Sequence, residues 1–579
     1  MSAHRETLAS VLLSSTDQRL LRILDRKGRP EERTWATVAE GASRTAGRLI
    51  ALGVQRGERV VLVFPTGFDF FDAFFGCMLA GAVPTPVYPP VRLGRMDEYH
   101  GRTARMIEAV DARLVLADRR VRRVLGRCNE LARPALGVRC LDDLSDAPPA
   151  TRSVGPEDLA MVQFSSGTTV DPKPVALSHR AVLAQTDALV RELCRDLEDE
   201  EARSQVGVSW LPLYHDMGLI GCVFPALRHP GDITLIGPEV FVTRPASWLQ
   251  ALSTYGGTIS PAPNFAFALC VSRIEDEEME GVDLSKWRVA LNGAEPVAPE
   301  VLRAFTRRFS RWGLRETALT PVYGLSEASL AVTFSRIDEP FSTRRLQREA
   351  LAEGRAVLDD EGVEMVNLGR PLEGFEVRIV REREGVADGV VGSVFARGPS
   401  LMSGYLGRPE LTAGALVDGW LDTGDLGFLL DGELYLTGRD KDVLILRGRN
   451  HAPHPLEQAL DAVGGVRTGC AAACSYRPEG CDGERLVLFV EHSARATPEQ
   501  LEVMGRACVD AVVAATALVP DLVVVLEPGT LPRTSSGKIR RGEALRLWRA
   551  GELHPPERVH LLRVAGILAD SALAYLRAR

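Results

Sequence analysis

Over roughly the first 435 residues, hydrophobic positions fall into short continuous runs, each set against a helix-like stretch. RVVLVFP (59–65) follows the helical pattern from Ala36 to Leu52. The runs ARLVLAD (112–118), LAMVQF (159–164), VGVSWL (206–211), DITLIG (232–237) and RVALNG (288–293) continue the theme. Strands that are apolar throughout are buried on both faces, so the pattern predicts largely parallel sheets between helices. Near 366–406 the pattern changes to short strands between turn residues, FEVRIV and GSVFARG. A second, smaller βα region starts at VLILRG (443–448) and continues through RLVLFVEH and LVVVLEPG. The predicted fold class is therefore mixed α/β. A large N-terminal domain of layered βα subdomains with a β-rich subdomain spans 1–438, a connection spans 439–442, and a small α+β C-terminal domain spans 443–579. The tail from Pro556 to Arg579 reads as a helix with Leu561, Ala565, Leu568, Ala572 and Tyr575 near one face. Its polar face is not strongly basic, which favours docking on the body over membrane anchoring.

Composition narrows the picture. A length of 579 residues allows about three or more domain-sized units. A formal net charge of −8 gives no reason to expect nucleic acid as a partner. No run approaches the ~20 apolar residues of a membrane span. The start, MSAHRETLASVLLSS, has no long apolar core behind a basic head, so no secretory signal is expected. Ten scattered cysteines suit a reducing, cytoplasmic setting. Cys470, Cys474 and Cys481 lie closest together, but GCAAACSY reads as a buried strand rather than a metal site. Only five lysines (Lys27, Lys173, Lys286, Lys441, Lys538) stand against 64 arginines. GC-rich coding explains the scarcity, yet a surviving Lys can also mark a place where Arg would fail.

The segment with the most chemistry is Gln163-Phe-Ser-Ser-Gly-Thr-Thr-Val-Asp-Pro-Lys173, directly after an apolar strand. Ser165, Ser166, Gly167, Thr168 and Thr169 supply hydroxyls and N–H groups able to cradle phosphate oxygens, and Lys173 adds a point charge. The Walker spacing is absent, so this is no P-loop NTPase.

This stretch resembles the phosphate loop of adenylate-forming enzymes: acyl-CoA synthetases, nonribosomal adenylation domains, luciferases and fatty acyl-AMP ligases. Three further segments follow in that family's order: Val322-Tyr-Gly-Leu-Ser-Glu327, Trp420-Leu-Asp-Thr-Gly-Asp425 and Pro532-Arg-Thr-Ser-Ser-Gly-Lys538. The resemblance implies ATP and Mg²⁺ as cofactors. Tyr323 and Gly324, with the Asn292-Gly293-Ala294-Glu295 loop, would contact adenine. Asp425 and Arg439 would reach the ribose. Glu327, with Thr168 beside it, would hold Mg²⁺ through hard oxygen donors. Lys538 would reach the α-phosphate and carboxylate, arriving on a mobile C-terminal domain that turns at the hinge 439–442, where Lys441 sits. Joining two anions calls for cations and N–H donors, which is the chemistry these residues offer.

Other segments resemble the fatty acyl-AMP ligase branch: Trp210-Leu-Pro-Leu-Tyr-His-Asp-Met-Gly218, Pro263-Asn-Phe-Ala-Phe267, Phe74-Phe-Gly-Cys-Met-Leu-Ala-Gly-Ala-Val83, Pro86-Val-Tyr-Pro-Pro90 and Arg447-Gly-Arg-Asn-His451. About forty residues separate Glu327 from Gly369, matching that branch's insertion, thought to restrain the domain movement that admits CoA. A neutral surface loop is the other reading. The branch implies a fatty or other carboxylic acid as substrate and an acyl carrier protein in trans, bearing a phosphopantetheine arm, as partner. His215 is placed at the substrate or its gate. Phe265, Phe267, Met217, Leu219 and Ile220 are candidates for an apolar acyl tunnel, or for plain core. Asp216 could face a substrate ammonium but does not discriminate. Pro174 after Lys173 departs from the usual Gly and stiffens the loop. The alternatives are an acyl-CoA synthetase using free CoA, and a catalytically weak binding homologue.

Overall fold

The computed structural model describes residues 6–15, 18–90, 93–165, 172–229, 231–446, 449–478, 484–493, 496–534, 537–556 and 561–578. The apolar runs become strands where expected. Val206–Ser209, Asp232–Ile236, Ile259–Ala262, Val289–Asn292 and Leu319–Gly324 lie in one nine-stranded sheet, and each pairs parallel with a neighbour from that set. A second, four-stranded parallel sheet is built on Arg59–Val63 and Ala112–Ala117. The helix Phe68–Leu79 is apolar nearly all round, and it is accordingly buried, packed on the amphipathic helix Trp35–Ala51. The β-rich region follows: Glu376–Arg381, Gly392–Arg397, Trp420–Leu430 and Glu433–Arg439 form an antiparallel sheet.

The last of these strands ends at Arg439, and a short turn, Asp440–Asp442, leads into the hairpin Leu444–Leu446/Arg449–His451. Beyond it the three strands Val466–Tyr476, Arg485–His492 and Leu522–Leu526 carry a core of their own on each face: Leu456, Leu488 and Met504 on one, Phe489, Leu531 and Trp548 on the other. Cys470 and Cys474 are free thiols on the first of these strands. Cys481 lies outside the described residues. Among the described residues no group of His, Cys, Asp and Glu could hold a metal, and no helix is long and apolar enough to cross a membrane.

The tail forms the helix Leu561–Arg577, which returns to the body and docks on the helix Gly126–Ala132. Gly126 makes this approach possible: a Cβ there would stand 1.9 Å from the Ser571 carbonyl oxygen. The Gly126 N–H donates to Ser571 Oγ at 2.8 Å, and the Tyr575 hydroxyl donates to the Arg122 carbonyl at 2.9 Å. The docked face is not the one expected. Ser571 and Ala574 are buried and Ile567 half-buried, whereas Ala565, Leu568 and Ala572 are exposed; among the described side chains of the expected stripe, Tyr575 packs inward. Leu568, Leu573 and Leu576 are exposed, and the docked face is built on small residues, Ser571 and Ala574, that allow backbone contact.

The long segment between Glu327 and Gly369 folds as a hairpin, Thr343–Leu346 with Val363–Val366, whose connection carries the helix Arg348–Ala352. That helix lies beside the strand Arg449–His451 of the C-terminal region. Glu364 is held against the body by Arg303, and its carboxyl is kept at about 2 chiefly by that guanidinium.

Candidate active site

The strand Trp420–Leu430 runs antiparallel to Glu433–Arg439 with Asp425 opposite Arg439. Register alone therefore places a carboxylate beside a guanidinium: Arg439 Nε lies 3.0 Å from Asp425 Oδ1. The Tyr323 hydroxyl donates to the other oxygen, Oδ2, at 2.7 Å. Burial, and next the Asp425 charge, push the Tyr323 phenol well above its ordinary range, so it stays a donor. Each carboxylate oxygen keeps a lone pair for a further donor, as ribose hydroxyls would be. Gly324, after Tyr323, has no room for a side chain, since a Cβ would come within 1.8 Å of the Leu330 carbonyl oxygen.

Glu327 accepts from the Tyr405 hydroxyl at 2.9 Å. Lys173 sits over the same ring, Nζ 4.8 Å from its centroid and 3.5 Å from its hydroxyl. Burial lowers the Lys173 pKa; Glu327 opposes this, while Lys441 and Arg439 add to it. The Ser165 N–H donates to the Lys173 carbonyl at 3.0 Å, closing the base of the phosphate loop. Ser166, Gly167, Thr168 and Thr169 lie outside the described residues.

Asn292 ends a central parallel strand, fully buried. Its Nδ2 donates to Asn264 Oδ1 at 3.3 Å, while its own Oδ1 has no hydrogen-bond partner. An orphaned buried acceptor suits an amino donor such as that of adenine. Gly293 follows, and Ala294 holds φ +69°, a left-handed conformation rare for alanine. Glu295 accepts from the Phe265 N–H at 2.6 Å, at the start of the helix Asn264–Arg273. Burial raises the Glu295 pKa, against the pull of that N–H and of Lys538.

His215 Nδ1 lies 2.7 Å from Asp216 Oδ1. Ser326 donates to Asp216 Oδ2, and the Met217 N–H to Oδ1 at 2.7 Å. Burial pushes the Asp216 carboxyl up, but His215, Ser326 and Met217 together hold it at about 2. Both Asp216 oxygens are thus engaged, one by His215 and the Met217 N–H and the other by Ser326 in the Glu327 turn. The described residues of the lysine loop form a tight hairpin. Thr534 N–H donates to the Lys538 carbonyl at 2.8 Å, and Arg533 donates to the carbonyls of Gly537 and Gly469, each at 2.7 Å. Lys538 is half-buried. Burial and then Arg439 lower its pKa, while Asp216, Glu295 and Asp425 pull it up, so the ammonium sits in the field of the whole site.

The candidate tunnel residues sit mostly in the core. Phe267, Leu219 and Ile220 are fully buried core, Met217 nearly so, and Phe265 packs edge-on to Trp210. A small apolar cleft of about 70 Å³ lies between the helix His179–Leu193, the turn Leu219–Val223 and the sheet, lined by Val190, Leu193, Cys222, Pro225, Ile259 and Pro261 among others. Sequence reasoning also missed Tyr405, which joins Lys173 to Glu327. Its signal was an aromatic between Gly404 and Gly407.

A family model for AMP-binding enzymes matches residues 17–406. The chain is 31% identical to the long-chain-fatty-acid–AMP ligase FadD23 of Mycobacterium tuberculosis, over 91% of this chain and 92% of that protein. It is 34% identical to the medium-chain-fatty-acid–[acyl-carrier-protein] ligase JamA of Moorena producens, over 84% of this chain and 85% of that protein. A solved structure from work on the fatty acyl-adenylate ligases of E. coli and L. pneumophila superposes with a TM-score of 0.87 at 32% identity, covering 94% of this chain and 98% of that one. This chain belongs to the AMP-binding, adenylate-forming enzyme family, on its fatty acyl-AMP ligase side.

Proposed function

We propose that the protein activates a fatty or related carboxylic acid with ATP and passes the acyl group to the phosphopantetheine thiol of a separate carrier protein. The observation that carries this reading is the convergence of Asp425, Tyr323 and Glu327 from the body and Arg439 from the hinge with Lys538 from the C-terminal region. In the first step a carboxylate oxygen attacks the α-phosphorus, the bond to the α–β bridging oxygen breaks, and pyrophosphate leaves with the electron pair. Lys538 and Lys173 offset the charge of the meeting anions, and Asp425 and Arg439 fix the ribose. Asn292 Oδ1 and the Gly293–Glu295 turn receive adenine. Mg²⁺, when bound, neutralises phosphate charge, and Glu327 would hold it with Thr168. In the second step the thiol sulfur bonds to the acyl carbon, the acyl–phosphate bond breaks, AMP leaves, and the thiol proton goes to solvent.

The chain divides functionally at 439–442, with 1–438 binding acid and nucleotide and 443–579 delivering Lys538. Lys441 turns with the hinge and adds positive charge beside Lys173. The apolar cleft seats the acyl tail, each buried methylene contributing about 0.8 kcal/mol. His215, oriented by Asp216, attends the substrate carboxylate. The helix Arg348–Ala352 beside Arg449–His451 favours a restrained C-terminal region, and hence a carrier over free CoA. Acid-dependent ATP–pyrophosphate exchange across a panel of acids tests the first step; its absence with every acid supports the binding-homologue reading.

A further inference from the structure

One body side chain spans the seam to the C-terminal region just upstream of the lysine loop. Arg95 closes the short turn Leu93–Arg95 ahead of the helix Met96–Ala109. Its Nη2 donates to three main-chain carbonyls across the seam: Gly529 at 3.1 Å, Thr530 at 2.9 Å and His554 at 3.3 Å. Nη1 pairs with Glu98 at 3.3 Å, which keeps the fork turned outward. Nε is buried without a partner, so the side chain forgoes one hydrogen bond to make this reach.

The carbonyls it grips sit on a stiff segment. Thr530 Oγ1 donates to the Glu527 carbonyl at 2.7 Å, and the Leu531 N–H donates to the fully buried Glu491 at 2.8 Å. Arg540 N–H closes the loop on the Pro532 carbonyl at 2.9 Å, and Arg533 ties it to Gly469. The Thr534 N–H donates to the Lys538 carbonyl at 2.8 Å, so among the described residues Lys538 is tied to the same braced segment, and a hold on Gly529 and Thr530 bears on Lys538. Backbone carbonyls carry no side-chain identity, so what this contact reads is the orientation of the C-terminal region.

We propose that Arg95 is a positioning residue for adenylation: its guanidinium clamps Gly529, Thr530 and His554 and so locks the C-terminal region in the orientation that carries Lys538 into the site. The inference rests on the two-step reaction above. Adenylation brings two anions together and needs the lysine; thiol attack on a finished acyl-adenylate does not.

The test compares the two half-reactions. With an acid that the wild type adenylates, Arg95→Ala should lower the kcat of pyrophosphate release by roughly tenfold or more, with the KM for the acid unchanged. Transfer from supplied acyl-adenylate to pantetheine should keep the wild-type rate. An equal loss in both half-reactions, or no loss in either, overturns the clamp. Arg95→Lys keeps the charge but shortens the reach of the terminal donor to the three carbonyls and loses the Nη1 pairing with Glu98, and it should be slowed in the same half-reaction. A wild-type adenylation rate in Arg95→Lys overturns the need for the guanidinium's reach. If Arg95→Ala does not fold, Arg95→Lys carries the same comparison. Failure of the wild type to adenylate any acid would instead remove the proposed function itself, before any variant is made.

Discussion

Arg439 Nε rests 3.0 Å from Asp425 Oδ1, across two strands whose register sets the two residues face to face. The pair joins the last strand of the body, at the hinge, to the motif assigned to ribose. Asp425→Asn keeps the shape but removes the charge, and it should raise the ATP concentration needed for half-maximal pyrophosphate release by roughly tenfold to a hundredfold. Tyr323→Phe removes only the neutral hydroxyl and should have a smaller effect in the same direction. An unchanged ATP dependence in Asp425→Asn takes Asp425 out of the nucleotide site.

Lys538→Ala should abolish acyl-adenylate formation with little change in melting temperature, because the Thr534 main chain and Arg533 hold the loop closed. The ammonium pKa is lowered from 10.5, chiefly by burial and then by Arg439. The protonated form is the useful one, so adenylation should be lost as pH rises through that lowered value. Lys538→Arg, charged throughout the range, should lack this alkaline limb even where its rate is low. A wild-type alkaline limb in Lys538→Arg assigns the titration to another group.

Asp216 is a structural anion, and two outcomes follow. Asp216→Ala should cost about 1–3 kcal/mol in chemical denaturation, because His215, Ser326 and the Met217 N–H all lose an acceptor. The folded pKa is depressed to about 2, so this contribution is fully present above the ordinary 3.8 and is lost as pH falls toward 2. Amino acids should not be preferred over unsubstituted acids in the exchange assay. Selective activation of an amino acid would return Asp216 to the substrate.

Gly126→Val places a side chain against the Ser571 carbonyl and should undock the terminal helix. Limited proteolysis should then release a C-terminal fragment faster than from the wild type, while the body's melting temperature changes little. Equal cleavage rates would mean that the helix does not depend on this approach.

The chain's parallel core was legible because strands such as Val289–Asn292 are apolar up to their last residue, a pattern expected of a sheet covered on both faces. The lysine loop, Asp425 and Glu327 were legible as motifs. What escaped was set by contacts far apart in sequence. Ser326 reaches Asp216 across 110 positions, a buried contact that the sequence, which left Asp216 undecided, does not display. Tyr405 reaches Glu327 across 78, and Arg95 reaches Thr530 across 435. The tail's docked face was misjudged for a related reason: Ser571 is buried for its size against Gly126, and hydrophobic periodicity carries no information about a close backbone approach.

The most direct measurement is mass spectrometry of the products formed from ATP and a mixed panel of acids, first alone and then with holo-carrier protein or with CoA. The expected result is an acyl-adenylate with pyrophosphate, converted to acyl-carrier in the presence of carrier and to little acyl-CoA in the presence of CoA. Efficient acyl-CoA formation would contradict transfer restricted to a carrier, and the absence of acyl-adenylate from every acid would contradict the enzyme reading as a whole.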